Sequence, residues 1–137
     1  MELRPLVQTP LLHHDLGSEL HDFRVSEYDE PGAPRGGIRR VAPLHRHRTE
    51  DEAWYVLRGR LRFLFGNEEL DAPAGSGVLL PHGVAHTFWN PAEEPARYLL
   101  IARPKTVALL EALHRPEGPP MSPMKELFAR FDIDLLE

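Results

Sequence analysis

PLHRHRTEDEAWYVLRG, residues 43–59, places two histidines one residue apart, follows them with a polar run, and then opens an apolar stretch. In a strand, residues i and i+2 point to the same face. His45 and His47 can therefore reach one ion. Glu52 begins the next segment and shares parity with Trp54 and Val56, so it can point into the same interior. It lies an odd number of residues from His47, so a turn over residues 48–51 must reset the face. On this reading Glu50 and Asp51 fall in the turn and face water. Imidazole suits zinc, copper, iron and nickel, and an added carboxylate oxygen admits manganese. Taken alone, the stretch also reads as a basic patch before a solvated turn.

The segments on either side are short and of β type. Residues 22–28 alternate, with Phe23 and Val25 on one side and Arg24 and Ser26 on the other, which predicts a strand. Residues 30–37 form a loop on composition. Ile38 to Leu44 can be a strand broken by Pro43. Ala53 to Phe65 carries the strongest β signal, interrupted by Gly59. Beyond it Leu61, Phe63 and Phe65 alternate with Arg60 and Arg62, a period of two. Gly66-Asn67 reverses the chain into a short return strand at Leu70 to Ala72. Val78 to Leu80, His86 to Trp89 and Arg97 to Ala102 complete the series, the last expected to be buried on both faces. Such spacing predicts a β-sandwich or barrel. Fourteen prolines, about twice average usage, punctuate the chain in keeping with many short elements.

Residues 75–90 read GSGVLLPHGVAHTFWN. Gly75, Pro81, Gly83, His86 and Asn90 meet every position of the second cupin motif, G-x5-P-x-G-x2-H-x3-N. His45, His47, Glu52 and Gly59 fit the first motif in its four-residue variant. Arg39 stands where that motif opens with glycine, and Gly36 and Gly37 come earlier. The sequence thus resembles the cupin family. The resemblance implies an all-β fold, a cupin (double-stranded β-helix, jelly-roll) barrel, here with a short α-helical tail. It implies His45, His47, Glu52 and His86 as ligands of one divalent ion per chain, with iron, manganese or nickel ahead of zinc or copper. Gly59, Gly75 and Gly83 can supply positive φ at turns, and Pro81 stiffens the turn that presents His86. His82, in that turn, is expected to be exposed. His13, His14, His21 and His114 have no partners at ligand spacing and are read as surface residues.

Composition bounds the rest. The chain has 137 residues, 42% hydrophobic and 27% charged, with a formal charge of −5. These values predict one soluble domain and argue against nucleic acid or an anionic membrane as partner. With no Cys, disulfide and thiolate chemistry are excluded. No apolar run approaches the ~20 residues of a membrane span, and a cytoplasmic location is expected.

Trp54, Phe63, Phe88 and Tyr98 are candidates to line an apolar cavity around the ion, with barrel core as the alternative for each. Phe88 shares parity with His86. Trp89 has the opposite parity and is expected to pack outside the barrel, against an interface. Asn90 is read as a turn-former, and Arg58, Arg60 and Arg62 as a solvated face. Among these residues Glu52 is the candidate catalytic base, able to accept a proton while three histidines hold the ion.

The leading functional expectation is oxidation of a small organic molecule by dioxygen at a 3-His-1-Glu site, with flavonol (quercetin) dioxygenase-like cupins as the comparison. The alternatives are a non-catalytic metal-dependent binding or sensor module, and a metal-dependent isomerase or decarboxylase. The domain is expected over residues 1–104, with residues 105–137 as a helical extension on the barrel or on a partner subunit of a homodimer. In that extension Thr106 to His114 is helix-like. Met124, Leu127, Phe128 and Phe131 form the apolar stripe of a second helix, with Ser122 as N-cap and Pro123 at its first position.

Overall fold

Alternating strands separated by glycine turns build two five-stranded antiparallel sheets that face one another. The computed structural model describes residues 4–34, 37–118 and 123–137. The first sheet contains β1 (Asp15–Leu16), β2 (Arg24–Glu30), β4 (Glu52–Arg58), β7 (Gly77–Leu80) and β9 (Ala96–Ala102), in the order β1-β2-β9-β4-β7. The second contains β3 (His45–His47), β5 (Arg60–Phe65), β6 (Glu68–Pro73), β8 (His86–Trp89) and β10 (Ile133–Leu135), in the order β10-β3-β8-β5-β6. Two helices, α1 (Pro104–Leu113) and α2 (Met124–Ala129), precede β10. Among the described residues no helix is long and apolar enough to cross a membrane.

The core lies between the sheets. Trp54, Val56, Tyr98 and Leu100 of the first sheet meet Leu61, Phe63 and Phe88 of the second. Their alternation puts the neighbours Tyr55 and Leu57 in solvent, and a register shift after Val56 turns Arg58 outward as well. Gly59 turns β4 into β5 with φ +74°, and a Cβ there would lie 2.9 Å from the Pro95 carbonyl oxygen, so only glycine fits. Gly66-Asn67 forms the two-residue loop of the β5–β6 hairpin, as its sequence predicts.

Several expectations change. Ile38 to Leu44 is not a regular strand among its described residues. It runs beside β8 through a single bridge, Arg40 to Trp89, and the bond from Val41 N–H to the Phe88 carbonyl. Pro43 cannot donate to a ladder, which limits the ordered strand to three residues. Trp89 is buried within this chain rather than left for an interface. Strand β9 is central but not fully buried on both faces. Ala96, Tyr98, Leu100 and Ala102 are buried, while Arg97, Leu99 and Ile101 are half-buried.

The tail holds the largest difference. Pro123 is the N-cap of α2 rather than its first helical residue, and Ser122 lies outside the described residues. Leu127 and Phe128 are buried, Phe131 is half-buried, and Met124 is exposed. The chain then forms β10, a strand that no sequence pattern predicts. It pairs with β3 in the register Ile133 to His47 and Leu135 to His45. The open edge of the histidine strand is thus covered by a strand and not by a helix. Leu109 and Ala112 of α1 pack with Leu127, Phe128 and Ile133 in a second, smaller core. Each such Leu or Phe side chain contributes roughly 1.5–3 kcal/mol before entropy is subtracted.

Candidate metal centre

The strand geometry brings four polar side chains to one buried point. His45 and His47 lie on the inward face of β3, with Arg46 pointing away between them. His45 stands opposite His86 in the β3–β8 register. Glu52 opens β4 in the facing sheet and is itself buried. Each of the four residues offers one ligand atom, and these atoms all lie within 4.8 Å of one another. The turn at residues 81–85 is tied to the same strand by a 2.7 Å bond from Gly83 N–H to the His47 carbonyl.

The hydrogen bonds around the cluster fit a cation. His45 Nδ1 lies 2.6 Å from the Pro43 carbonyl oxygen, and His86 Nδ1 lies 3.1 Å from the Val84 carbonyl oxygen. A carbonyl only accepts, so in both rings Nδ1 carries the proton and Nε2 presents a lone pair. Among the described residues, four buried side-chain atoms lack a hydrogen bond: His47 Nε2, Glu52 Oε1, His86 Nε2 and Trp54 Nε1. Three of the four belong to the cluster. Buried polar atoms without partners are rare in proteins. A point where unpaired acceptors converge is electrostatically incomplete without a positive charge. Three imidazoles and a carboxylate are the donor set expected for a first-row divalent ion.

Charge states agree. Burial first, and the neighbouring His86 second, push the His45 pKa down to about 4, against a raising effect of the Pro43 carbonyl. The ring is then neutral, the form that binds metal. Burial pushes the Glu52 carboxyl up, and positive charge at the adjacent His47 and His86, or on an ion in their place, holds it well below the usual carboxylate range. Glu52 Oε1 touches His47 Nε2 and lies 3.4 Å from His86 Nε2.

A cavity of about 310 Å³ opens on this cluster. Trp54, Phe88 and Tyr98 line it. Phe63 does not. It is fully buried behind Trp54 and Phe88, edge-on to the first at 5.1 Å and stacked on the second at 5.3 Å, and so belongs to the core. The other walls come from residues that the sequence does not assign to the cavity. Tyr28 contributes from β2; Leu109, Leu110 and Leu113 from α1; and Phe128 from α2. His114, read as a surface residue, is exposed but also lines this cavity. The helical periodicity of Leu109, Leu110 and Leu113 is visible in the sequence. What it packs over is not, because a stripe does not name its acceptor.

Glu50 and Asp51 part ways. Asp51 is exposed, as expected, and accepts hydrogen bonds from the backbone N–H of His82 at 2.9 Å and from its ring. Glu50 is buried and does not face water. Its carboxylate accepts from the backbone N–H groups of Lys105 and Thr106 at 2.9 and 2.7 Å, and from Thr106 Oγ1 at 2.9 Å. Those amides open α1 and lack a side-chain cap from Arg103, the local N-cap residue. A remote acid that satisfies orphan helix donors leaves no periodic signature in sequence.

The fold and cluster define a small β-barrel with a buried three-histidine, one-carboxylate centre. Residues 37–102 match the family model described as Cupin domain, and the chain contains a cupin domain there. An uncharacterised protein of Methanocaldococcus jannaschii is 30% identical over 61 residues, 44% of this chain and 49% of that protein. The chain thus spans about half the length of the curated relative it matches. Among solved structures, a cupin protein of Bacteroides fragilis aligns with TM-score 0.51 and 20% identity over 61% of this chain and 66% of that one. A protein of Thermus thermophilus aligns with TM-score 0.53 and 25% identity over 65% and 77% of the two chains. A sugar phosphate isomerase of the cupin superfamily from Silicibacter pomeroyi aligns with TM-score 0.51 and 27% identity, over 61% of this chain and 51% of that one.

Proposed function

We propose that this chain is a metal-dependent oxidoreductase that oxidises a small, largely apolar organic molecule with dioxygen. The observation that carries this reading is the cavity over the cluster. Among the described residues its wall is mostly aromatic and aliphatic, and no Lys or Arg lines it. A phosphorylated sugar needs cationic or multiple N–H partners for its phosphate, so the lining supports a neutral ring or enediol-like body over a sugar phosphate. His45, His47, Glu52 and His86 would hold the ion, with iron, manganese or nickel favoured because dioxygen chemistry needs an accessible redox state. A bound ion of this kind supplies Lewis acidity and electron transfer toward dioxygen.

The chain's own residues do the rest. Trp54, Phe88, Tyr98 and Leu100 wall the substrate and exclude water, which strengthens the electrostatics inside. Glu52 is the carboxylate in contact with the histidines and is the proposed proton acceptor. Asp29 and Glu30 also border the cavity but lie on β2.

Oxygen uptake with the metal-loaded chain, measured against a panel of flavonols, enediols and diketones, tests the reading. Metal-dependent uptake with one class is expected. Turnover of a substrate without oxygen consumption would move the function to an isomerase or decarboxylase. Tight binding with no turnover would move it to a metal-dependent sensor. Glu52→Gln that kept its metal and full turnover would remove Glu52 from the mechanism.

A further inference from the structure

The third histidine is held differently from the other two. His47 Nδ1 faces no carbonyl. It lies 3.0 Å from Thr106 Oγ1, at the start of α1 and fifty-nine residues away in sequence. The same hydroxyl lies 2.9 Å from Glu50 Oε1, and all three side chains are buried.

The donor count fixes the direction of this chain of bonds. The Glu50 carboxylate accepts two backbone N–H bonds at the N-terminus of a ten-residue helix, a position that favours negative charge. An ionised carboxylate offers no proton. The single Thr106 hydroxyl proton therefore points to Glu50. The hydroxyl can then only accept from His47, whose Nδ1 must carry the ring proton. In the neutral ring that binds metal, His47 Nε2 is then a bare lone pair, in the same state as His45 and His86 and aimed at the same point.

We propose that Glu50 and Thr106 are positioning residues. Together they fix the tautomer and ring orientation of His47 and couple the docking of α1 to the metal centre. This deepens the metal reading above and rests on it for its consequence, though not for its geometry. Residues of α1 that wall the cavity follow Thr106 directly: Leu109, Leu110 and Leu113. One buried acid thus ties the cavity wall and a ligand together. Outer partners of this kind, when removed, weaken metal binding by about 10–100-fold.

Two readouts test this. In the metal-free chain, histidine-ring nitrogen NMR should show His47 with its proton on Nδ1. Thr106→Val, close to isosteric, should shift it to a tautomer mixture, and Thr106→Ser should restore it. Glu50→Gln leaves a single amide oxygen for the three donors that the carboxylate accepts, so it should loosen the Thr106 hydroxyl and shift His47 toward a tautomer mixture as well. With zinc as probe and a colorimetric chelator as competitor, Thr106→Val should bind about 10-fold or more weakly, and Thr106→Ser close to wild type. An unchanged tautomer in both Thr106→Val and Glu50→Gln, with unchanged zinc affinity, would overturn the proposal. A wild-type chain that bound no zinc, yet whose tautomer moved in the variants, would keep the positioning role and count against the metal reading alone.

Discussion

His45 and His86 stand opposite each other in the register between β3 and β8, their ring centroids 4.4 Å apart. Burial first and the neighbouring His86 second disfavour protonation of His45, and a shared cation is the partner that suits two such imidazoles. One divalent ion per chain is expected by elemental analysis of protein purified without a metal-affinity tag. His86→Ala and His47→Ala should each lower that content while circular dichroism still reports the β fold. Undiminished metal in both variants would rule the assignment out.

Glu52 and Asp51 are neighbours with opposite surroundings. Glu52 is buried among the histidines, while Asp51 is exposed and engaged with His82. Asp51→Asn should leave metal content unchanged, and Glu52→Gln should reduce it. The reverse result would shift the register of β4 by one residue.

Phe63 and Trp54 share an edge-on contact but should differ in what their loss does. Phe63→Ala removes a fully buried ring from the core and should cost about 3–5 kcal/mol in urea denaturation. Trp54→Leu, on the cavity wall, should change the spectrum of ligands bound more than it changes the midpoint. A Phe63 variant with wild-type stability would show that the second sheet is packed by other side chains.

The parts of the molecule legible in sequence are those carried by local period and turn chemistry. His45 and His47 read as one face, Glu52 as the same interior across a turn, and Gly66-Asn67 as a hairpin, because each follows from residues a few positions apart. Two features are not legible. Glu50 sits in a polar turn and reads as solvent-facing, yet its partners are the amides of residues 105 and 106. Residues 133–135 are too short to show alternation, and their strand identity comes from pairing with β3, more than eighty residues earlier. Both depend on where α1 carries the chain, a tertiary relation that no window of sequence contains.

That last strand carries a prediction about pH and truncation. Asp134 accepts from Arg48 Nε at 2.9 Å and from Arg46 Nε and Nη2 at 3.3 and 3.2 Å, while Lys105 reaches Asp132. The hydrogen bond from Arg48 chiefly, opposed by slight burial and aided by Arg46, holds the Asp134 carboxyl below its ordinary 3.8. A carboxylate with a depressed folded pKa contributes stability that is present above its unfolded value and lost as pH falls through the folded one. The attachment of β10 should therefore be constant from pH 8 down to about 4 and loosen below that. Because Arg46 and Arg48 reach Asp134 at the surface, added salt should weaken it too. Amide exchange of residues 133–135, compared as protection factors above and below pH 3.8, reads this directly, and Asp134→Asn should reproduce the acid result at neutral pH. Truncation after Pro120 removes α2 and β10 together, baring the β3 edge and the apolar surface of Leu109 and Ala112. Such a chain should aggregate or melt lower, since an unpaired edge is a template for association. A truncated chain that stayed soluble with unchanged melting temperature and mass by light scattering would show that β3 holds its histidines without the tail.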